Sequence, residues 1–234
     1  TNCDQADVIA TVGAGTIAAD DDSISGINGL AGAPNVLDVI PGDTLNGNPA
    51  TLGGTGNVAL TVVTPASPLT PGAPVPALDP ATGQVSVPAN TPAGTYTITY
   101  QICENLNPAT CDEGVATIDV VAAPILAADD APAGVNGGLG NPSVVNAFTN
   151  DTLNGSPGNV AAITATIVTP ASNPGVSLDP ATGIVSVAPG TPAGNYTITY
   201  EICENLNPAN CDQAVVTIPV NPGTIVADDD SVLG

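Results

Sequence analysis

The chain has 234 residues, of which 43% are hydrophobic but only 2% aromatic, so any core must be built mainly from Val, Ile, Leu and Ala. It contains no Lys, Arg or His against 22 Asp and Glu, and the resulting charge of −22 makes nucleic acid and anionic lipid surfaces poor partners. No apolar run approaches the ~18 residues that a membrane-spanning helix needs, so we expect no membrane insertion in this segment.

An internal repeat organises the sequence. Residues 92–111 (PAGTYTITYQICENLNPATC) and 192–211 (PAGNYTITYEICENLNPANC) agree at 17 of 20 positions. The distance between copies of three further motifs falls along the chain from 108 to 105 to 100 residues, so the first copy carries insertions in Pro- and Gly-rich stretches, where loops tolerate them. These motifs are DTLNG at Asp43 and Asp151, VTPAS at Val63 and Val168, and LDPATG at Leu78 and Leu178.

The two ends of the chain continue this repeat. Residues 1–12 (TNCDQADVIATV) match the last strand of each copy, and residues 224–231 (TIVADDDS) match residues 16–23 (TIAADDDS). Such a pattern is typical of a segment from a longer tandem array. We therefore predict the last strand of a preceding repeat at 1–14, immunoglobulin-like repeats at 15–122 and 123–222, and the first strand of a following repeat at 223–234.

Each repeat is predicted to be all-β, with its clearest strands in the repeated block. Apolar residues alternate with polar ones through residues 96–103 and again through 116–120, which predicts a hairpin with one buried face. About seven strands in roughly 100 residues predict an immunoglobulin-like β-sandwich. The shorter predicted strands, which have counterparts in the second copy, are 36–40, 58–63, 75–78 and 84–87.

Tyr96 and Tyr196 follow Pro-Ala-Gly at the entry to the first strand of each predicted hairpin. This placement resembles the tyrosine corner of immunoglobulin-like sandwiches, in which the tyrosine hydroxyl bonds to the backbone a few residues upstream. An ordinary core tyrosine explains the pattern about equally well, so both interpretations stay open at this point.

Cysteines close the predicted hairpins. Cys103 and Cys111 flank the first loop and Cys203 and Cys211 the second, where cross-strand neighbours lie close enough for a disulfide. Free buried thiols are the alternative, whereas zinc binding lacks His and a second cysteine pair, and a nucleophile lacks a base. By alternation the bridge lies on the polar face, and persistent disulfides favour an oxidising, extracellular compartment. Cys3 aligns with the second cysteine of each pair, so its partner is expected upstream of this chain.

Acidic runs are predicted where the repeats join. Adjacent carboxylates repel one another unless they are solvated or bind a metal ion, so solvated turns and junction Ca²⁺ sites are both open. The second run has Ala131 where the others have a third Asp, which weakens the case for one invariant site. The candidate metal ligands are Asp20, Asp21 and Asp22, then Asp129 and Asp130, then Asp228, Asp229 and Asp230.

Four other aspartates are predicted to form turns. Asp hydrogen-bonds to nearby backbone and tolerates turn dihedrals, so it is common where two strands are joined. The four are Asp43 and Asp151 in DTLNG, and Asp79 and Asp179 in LDPATG.

Taken in order, ADDDS, DTLNG, LDPATG and the hairpin block resemble the immunoglobulin-like or cadherin-like tandem repeats of very long bacterial surface proteins, which are widespread in Bacteroidetes. The resemblance covers essentially the whole chain. It implies an extracellular, cell-surface stalk or filament that supports adhesion or gliding, with Ca²⁺ at repeat junctions. It also implies neighbouring repeats, or other copies in a filament, as partners. In proteins of that origin Asp-Ser/Thr-apolar triplets can be O-glycosylated, which makes candidates of Ser23, Thr44, Thr152 and Ser231.

The composition argues against an enzyme. Only carboxylates remain for acid–base chemistry, and a two-acid glycosidase would need more aromatic surface than four Tyr and one Phe offer. Because the repeated motifs are turns and a hairpin, we expect a stiff, disulfide-closed and calcium-bridged spacer. The alternatives are a surface that binds a glycan or protein ligand, with residues 68–77 as the place to look, and a polymer subunit that exchanges terminal strands.

Overall fold

β-Strands make up nearly all the regular structure of the chain. The computed structural model describes residues 3–13, 15–157 and 161–227, and these fall into two units: unit 1 ends at Val121 and unit 2 begins at Ala122. The strands of unit 1 are β1 (Ile17–Ala18), β2 (Asp22–Asn28), β3 (Ala33–Asp38), β4 (Thr44–Leu45), β5 (Asn48–Pro49), β6 (Val58–Thr64), β7 (Ala77–Asp79), β8 (Gln84–Val87), β9 (Gly94–Glu104) and β10 (Cys111–Val121).

Unit 2 repeats this order of strands and adds one short 3₁₀ turn, Ala147–Thr149, before its fourth strand. Its strands are β11 (Ile125–Leu126), β12 (Val135–Asn136), β13 (Asn141–Asn146), β14 (Thr152–Leu153), β15 (Ser156–Pro157), β16 (Ile163–Thr169), β17 (Val176–Leu178), β18 (Ile184–Val187), β19 (Gly194–Glu204) and β20 (Cys211–Asn221).

Each unit is a β-sandwich. In unit 1 a four-stranded sheet with the order β2-β10-β9-β6 shares one core with two three-stranded sheets, β3-β8-β7 and β1-β4-β5. Unit 2 has the corresponding three sheets, with the orders β12-β20-β19-β16, β13-β18-β17 and β11-β14-β15. The second strand of each unit lies parallel to the last one, β2 beside β10 over seven residues and β12 beside β20 over only two. The predicted all-β, immunoglobulin-like sandwich is confirmed.

The predicted hairpin is formed by β9 and β10, which pair antiparallel along their length. The alternation of apolar residues places one face of β9 in the core, where Tyr96, Ile98, Tyr100 and Ile102 are at most 2% exposed. Burying an aliphatic side chain of this size stabilises a fold by about 1.5–3 kcal/mol. The hairpin is therefore the main source of the core in unit 1, and β19 and β20 supply the same pattern in unit 2.

Some strand boundaries differ from the prediction. The strand predicted at 36–40 is β3, at Ala33–Asp38, and the one predicted at 75–78 is β7, at Ala77–Asp79. The match of residues 16–23 to a first strand does not separate β1 from β2, and no strand is predicted at β4 or β5. β2 has the polar sequence DSISGIN, and its place in the sheet comes from pairing with β10, which is distant in sequence.

The tyrosine corner is present in both units. The Tyr96 hydroxyl donates to the carbonyl oxygen of Pro92 at 2.9 Å, and the Tyr196 hydroxyl donates to that of Pro192 at the same distance. Each bond joins the strand to the turn that leads into it, which is the arrangement expected of this fold.

Residues 3–13 and 222–227, which are described on either side of the two sandwiches, are exposed. Residues 3–13 form no strand, and their apolar side chains Val8, Ile9 and Val12 are open to solvent, as are Ile225 and Val226. A single strand needs a pairing partner to be stable, so their assignment to neighbouring repeats stays a prediction.

Candidate functional site

The acidic run of unit 1 lies where the chain crosses from one sheet to another. β1 pairs with β4, whereas β2 pairs with β10, so the backbone between them leaves one ladder before it joins the next. Buried backbone N–H groups at such a crossing require other acceptors. Carboxylates supply them: Asp112 accepts from the Ala19 N–H (2.9 Å), Asp43 from that of Asp20 (2.8 Å), and Asp21 from that of Val115 (2.9 Å).

Unit 2 makes the same three bonds. Asp212 accepts from the Ala127 N–H (2.9 Å), Asp151 from that of Ala128 (2.8 Å), and Asp129 from that of Val215 (2.8 Å). Ala128 is therefore the counterpart of Asp20, and Ala131 is the counterpart of Ser23. The prediction that Ala131 replaces the third Asp of the run is wrong. The replaced aspartate is the first of the run, because Ala128 makes the backbone bond that Asp20 makes in unit 1.

Asp43 and Asp151 do more than form turns. The Asp43 backbone does close a turn with Ile40, but its side chain is 1% exposed, and that of Asp151 is 2% exposed. Their carboxylates hold the crossing strand instead of facing solvent. The sequence predicts that Tyr100 and Tyr200 lie in the core, where a hydroxyl needs a partner, but it does not show that this partner is the aspartate of DTLNG.

The buried Tyr100 hydroxyl lies at the centre of the crossing in unit 1. Its oxygen is 2.8 Å from the carbonyl oxygen of Asp20 and 3.0 Å from that of Val39. It is also 3.0 Å from Asp22 Oδ2 and 3.5 Å from Asp43 Oδ1. Two separate carboxylates thus approach one hydroxyl, which can donate only one hydrogen bond at a time.

The Tyr200 hydroxyl is arranged differently in unit 2. It is 3.0 Å from both carboxylate oxygens of Asp151 but 3.4 Å from the carbonyl oxygen of Ala128. Part of the difference has a steric origin, because a Cβ on Gly114 of unit 1 would lie 2.6 Å from the Tyr100 hydroxyl and 2.8 Å from the carbonyl oxygen of Asp20. Unit 2 has Ala214 at this position of the hairpin, opposite Tyr200.

Four carboxyl groups are buried in the described part of this chain, whose sequence has no cationic side chain. They are Asp43, Glu104, Asp151 and Glu204. A buried charge without a partner is costly, and no Lys, Arg or His is present to supply one. Their negative charge can therefore be neutralised only from solvent, by a proton or by a metal ion.

Burial raises the pKa of two of these acids, Asp43 and Asp151, and of the half-buried Asp22 and Asp130. It raises the pKa of Asp43 to about 6, with the charges of Asp22 and Asp20 adding to the shift. Burial likewise raises the pKa of Asp130 to about 6, with the charge of Asp151 adding. The pKa values of Asp22 and Asp151 are also raised, chiefly by burial.

These shifts predict that the protein is more stable in mild acid when metal ions are removed. Since the folded-state pKa of an acid such as Asp130 lies above the unfolded value near 4, the folded chain holds more protons than the unfolded chain between about pH 4 and 6. The penalty for the buried charge is therefore present above pH 6 and disappears as the pH falls toward 4. With a chelator, we expect the Tm followed by circular dichroism to rise from about pH 7.5 to 4.5. A Tm that falls over this range would contradict the assignment.

Three buried carboxylate oxygens have no hydrogen-bond partner within the described residues. They are Asp43 Oδ2, Asp130 Oδ2 and Glu204 Oε1. Such an oxygen fits a site for a hard cation, and Ca²⁺ favours carboxylate and carbonyl ligands. Of the predicted ligands, Asp21 and Asp129 are exposed and each accepts a backbone N–H, so neither carries such a buried oxygen.

One group of side chains in the described part of the chain has three ligand atoms within 4.8 Å of one another: Glu201, Cys203 and Cys211. Both of its sulfurs belong to a disulfide and are not thiolates, so this group is not a metal site. The predicted acidic runs do not form such a group within the described residues. Asp228, Asp229 and Asp230 lie outside those residues.

Both predicted disulfides are present. Cys103 is bonded to Cys111 and Cys203 to Cys211, across directly paired positions of the hairpin with Cα atoms 4.1 Å apart. All four cysteines are half-buried on the polar side of the sheet, as alternation predicts. Cys3 is exposed and free.

The remaining predicted positions divide by exposure. Asp79 accepts from the Ala81 N–H and the Thr82 hydroxyl, and Asp179 makes the matching bonds, so both are turn formers as predicted. Ser23 is exposed on β2, whereas Thr44 and Thr152 are half-buried in strands that pair on both sides. Ser231 lies outside the described residues.

No protein-family model matches the chain, and no curated protein matches it. Solved structures with similarity include extracellular cadherin domains 3–6 of protocadherin gamma B2 (13% identity, TM-score 0.37, covering 90% of this chain and 53% of that one). A second is mouse cadherin-23 EC22–24 (12% identity, TM-score 0.34, covering 90% of this chain and 65% of that one). A third is the human desmocollin-1 ectodomain (11% identity, TM-score 0.36, covering 92% of this chain and 43% of that one). The chain spans 43% to 65% of the length of these three structures, and a likeness at such TM-scores carries no functional inference. None of the helices in the described residues is long and apolar enough to span a membrane.

Proposed function

We propose that the chain is a spacer segment of an extracellular bacterial surface stalk or filament that supports adhesion or gliding. The observation that carries the proposal is the parallel pairing of the second strand with the last one in each unit, which is extensive in unit 1 and short in unit 2. β2 begins at Asp22, beside Ala116 of β10, and both strands end together at Asn28 and Val121. Tension applied through the two chain ends therefore pulls the strands past each other and loads their hydrogen bonds together.

The repeated residues support the same role. The tyrosine corner, the disulfide and the three carboxylate bonds at the crossing occur in both units, and all of them act inside a unit. Repetition has thus preserved the parts that hold each sandwich together. We also propose that the chain has no catalytic role, because four of its five cysteines are in disulfides and it has no His, Lys or Arg.

Disulfides support the extracellular location, since they persist in oxidising compartments. We propose Ca²⁺ as the cation that the buried carboxylates take from the medium and that stiffens the array at its junctions. Ser23 is exposed within an Asp-Ser-Ile triplet, so it is the position among the described triplets best suited to carry an O-glycan.

Single-molecule pulling on the two chain ends tests the spacer. We expect two unfolding events, with unit 2 unfolding at the lower force because β12 pairs with β20 only over Val135–Asn136, apart from a single bridge at Asp130. Because each disulfide joins residues 8 apart whose Cα atoms are 4.1 Å apart, reduction should lengthen each event by about 24 Å, at ~3.5 Å per residue. A chain that extends without distinct unfolding events would contradict a load-carrying role.

A further inference from the structure

The four-stranded sheet of unit 1 has two edge strands that differ in how well they are protected from another chain. Edge strands expose unpaired backbone groups, and charged residues, Pro or bulges normally prevent a further strand from joining them. The edge strand β2 contains Asp22 and Gly26, and its register shifts in its middle. The opposite edge strand, β6, has the sequence VALTVVT, without a charged residue, Pro or Gly. Its one register shift falls at its end, between Val62 and Thr64.

The free side of β6 presents backbone groups that a further strand can use. The Asn105 N–H donates to the Asn57 carbonyl oxygen (3.0 Å) just before β6 begins, so alternation directs the backbone groups of Thr61 toward β9. Those of Leu60 and Val62 then point away from the sheet. Among the described residues no strand pairs with that side of β6, which therefore has a free edge centred on Thr61.

The surface around this edge is the uncharged part of a strongly acidic chain. No charged residue occurs in residues 44–78 or 80–103, which include β6 and the loop that follows it. Gln101 of β9 lies opposite Thr61, and the acid next along this row of paired residues, Glu113, is two strands away from the edge. Thr61 is exposed, and Val63 is 46% exposed. The edge thus offers polar backbone and apolar side chains without charge.

A second copy of this chain is the partner that fits such an edge. Two chains with a charge of −22 repel one another wherever acids face acids, and neither has a cationic side chain to compensate. Two copies can therefore approach most closely where acids are absent, which is at β6. A basic partner, in contrast, is attracted to the acidic surfaces and gains nothing from this edge.

We propose that two copies of the chain pair through β6 of unit 1, antiparallel about a twofold axis, so that their four-stranded sheets become continuous. The outward backbone groups of Leu60 in each copy bond to those of Val62 in the other, which places the two Thr61 residues opposite each other. Opposite residues of this non-hydrogen-bonded type have Cα atoms about 4.5 Å apart. Unit 2 is less suited, because Glu201 stands where unit 1 has Gln101, on the strand next to the edge strand β16. The pairing concerns contacts between chains and does not depend on the proposed role as a spacer.

Disulfide capture in the full chain tests the pairing. In a Cys3→Ser background, Thr61→Cys should form an intermolecular disulfide in air, because the two cysteines would lie within disulfide range. Ser23→Cys is the matched control, since Ser23 is exposed on the other edge strand of the same sheet, next to Asp22. It should link at least about tenfold more slowly, because like charges face each other there.

Sedimentation velocity measures the same association without a crosslink. The dimer fraction of the Cys3→Ser chain should rise with protein concentration. It should also rise as NaCl is increased from about 0.02 to 0.5 M, because salt screens the repulsion between the acidic chains. A chain that stays monomeric at every concentration and salt level would contradict the proposal.

Val62→Pro and Val62→Ala separate strand pairing from general association. Both shorten the side chain, but only Pro removes the N–H that faces the second copy, and β6 does not use this N–H to pair with β9. Pro should reduce linking through Thr61→Cys to the rate of Ser23→Cys, whereas Ala should keep most of it, and hydrogen exchange checks that both variants are folded. Equal linking in Thr61→Cys and Ser23→Cys, or undiminished linking in a folded Val62→Pro variant, would overturn the proposal. Equally fast linking through Thr166→Cys, the equivalent position in unit 2, would overturn the assignment to unit 1.

Discussion

Replacement of Cys203 and Cys211 by Ser is expected to lower the free energy of unfolding of unit 2 by about 2.5 kcal/mol. The bridge joins residues 8 apart in sequence, and in the chain-entropy model a closed loop of this length restricts the unfolded chain by that amount. Because the disulfide lies on the polar face, its removal opens no cavity in the core, and the entropic effect is the main one.

Hydrogen-exchange mass spectrometry measures this change within the intact chain. Peptides from β19 and β20 report on unit 2, and those from β9 and β10 serve as an internal reference that should not change. Cys3→Ser is the matched control, since Cys3 is exposed and free. An equal loss of protection in both units, or none in unit 2, would show that the disulfide does not stabilise the unit that contains it.

Tyr200→Phe is expected to lower the stability of unit 2 by about 2 kcal/mol. The substitution keeps the ring, which is fully buried and packs against Phe148 with ring centroids 5.7 Å apart. It removes the hydroxyl that contacts Asp151 and the carbonyl oxygen of Ala147, so a carboxylate that is 2% exposed loses a donor. A buried acceptor left without its partner typically costs 1–3 kcal/mol.

Tyr196→Phe is the matched comparison in the same strand. It removes one neutral hydrogen bond, to the Pro192 carbonyl oxygen, and should cost about 1 kcal/mol. Chemical denaturation in chelator, combined with hydrogen exchange by unit, measures both variants. A larger loss from Tyr196→Phe than from Tyr200→Phe would show that the tyrosine corner, and not the carboxylate at the crossing, is the more important polar contact.

The hairpin and its disulfide could be predicted because their signals are local. Alternation through residues 96–103 identifies the buried face, and the same alternation places both cysteines on the polar face at one end of the hairpin. Repetition strengthened the prediction, since two copies with insertions between their motifs separate loops from strands. The tyrosine corner is local too, as its bond joins Tyr96 to Pro92.

The crossing could not be predicted because its bonds join residues that are far apart in sequence. The Tyr100 hydroxyl contacts the carbonyl oxygen of Asp20 across 80 positions and Asp43 across 57. Asp43 follows Gly42 in a turn sequence, and no local pattern shows that its side chain enters the core. The two acidic runs align by sequence in more than one way, and the shared bonds select the alignment with the 108-residue spacing of DTLNG, in which Ala128 replaces Asp20.

Pulling direction is the most direct test of the central claim, that each unit resists tension because its second and last strands are loaded in shear. In a Cys3→Ser background, unit 1 can be pulled either between the chain ends or between Ala31→Cys and the C-terminus. Ala31 is exposed just beyond β2, so this second handle loads β2 and β10 from the same end and separates their pairs one after another. We predict a clearly lower unfolding force for unit 1 in the second geometry. Equal forces in the two geometries would contradict the claim.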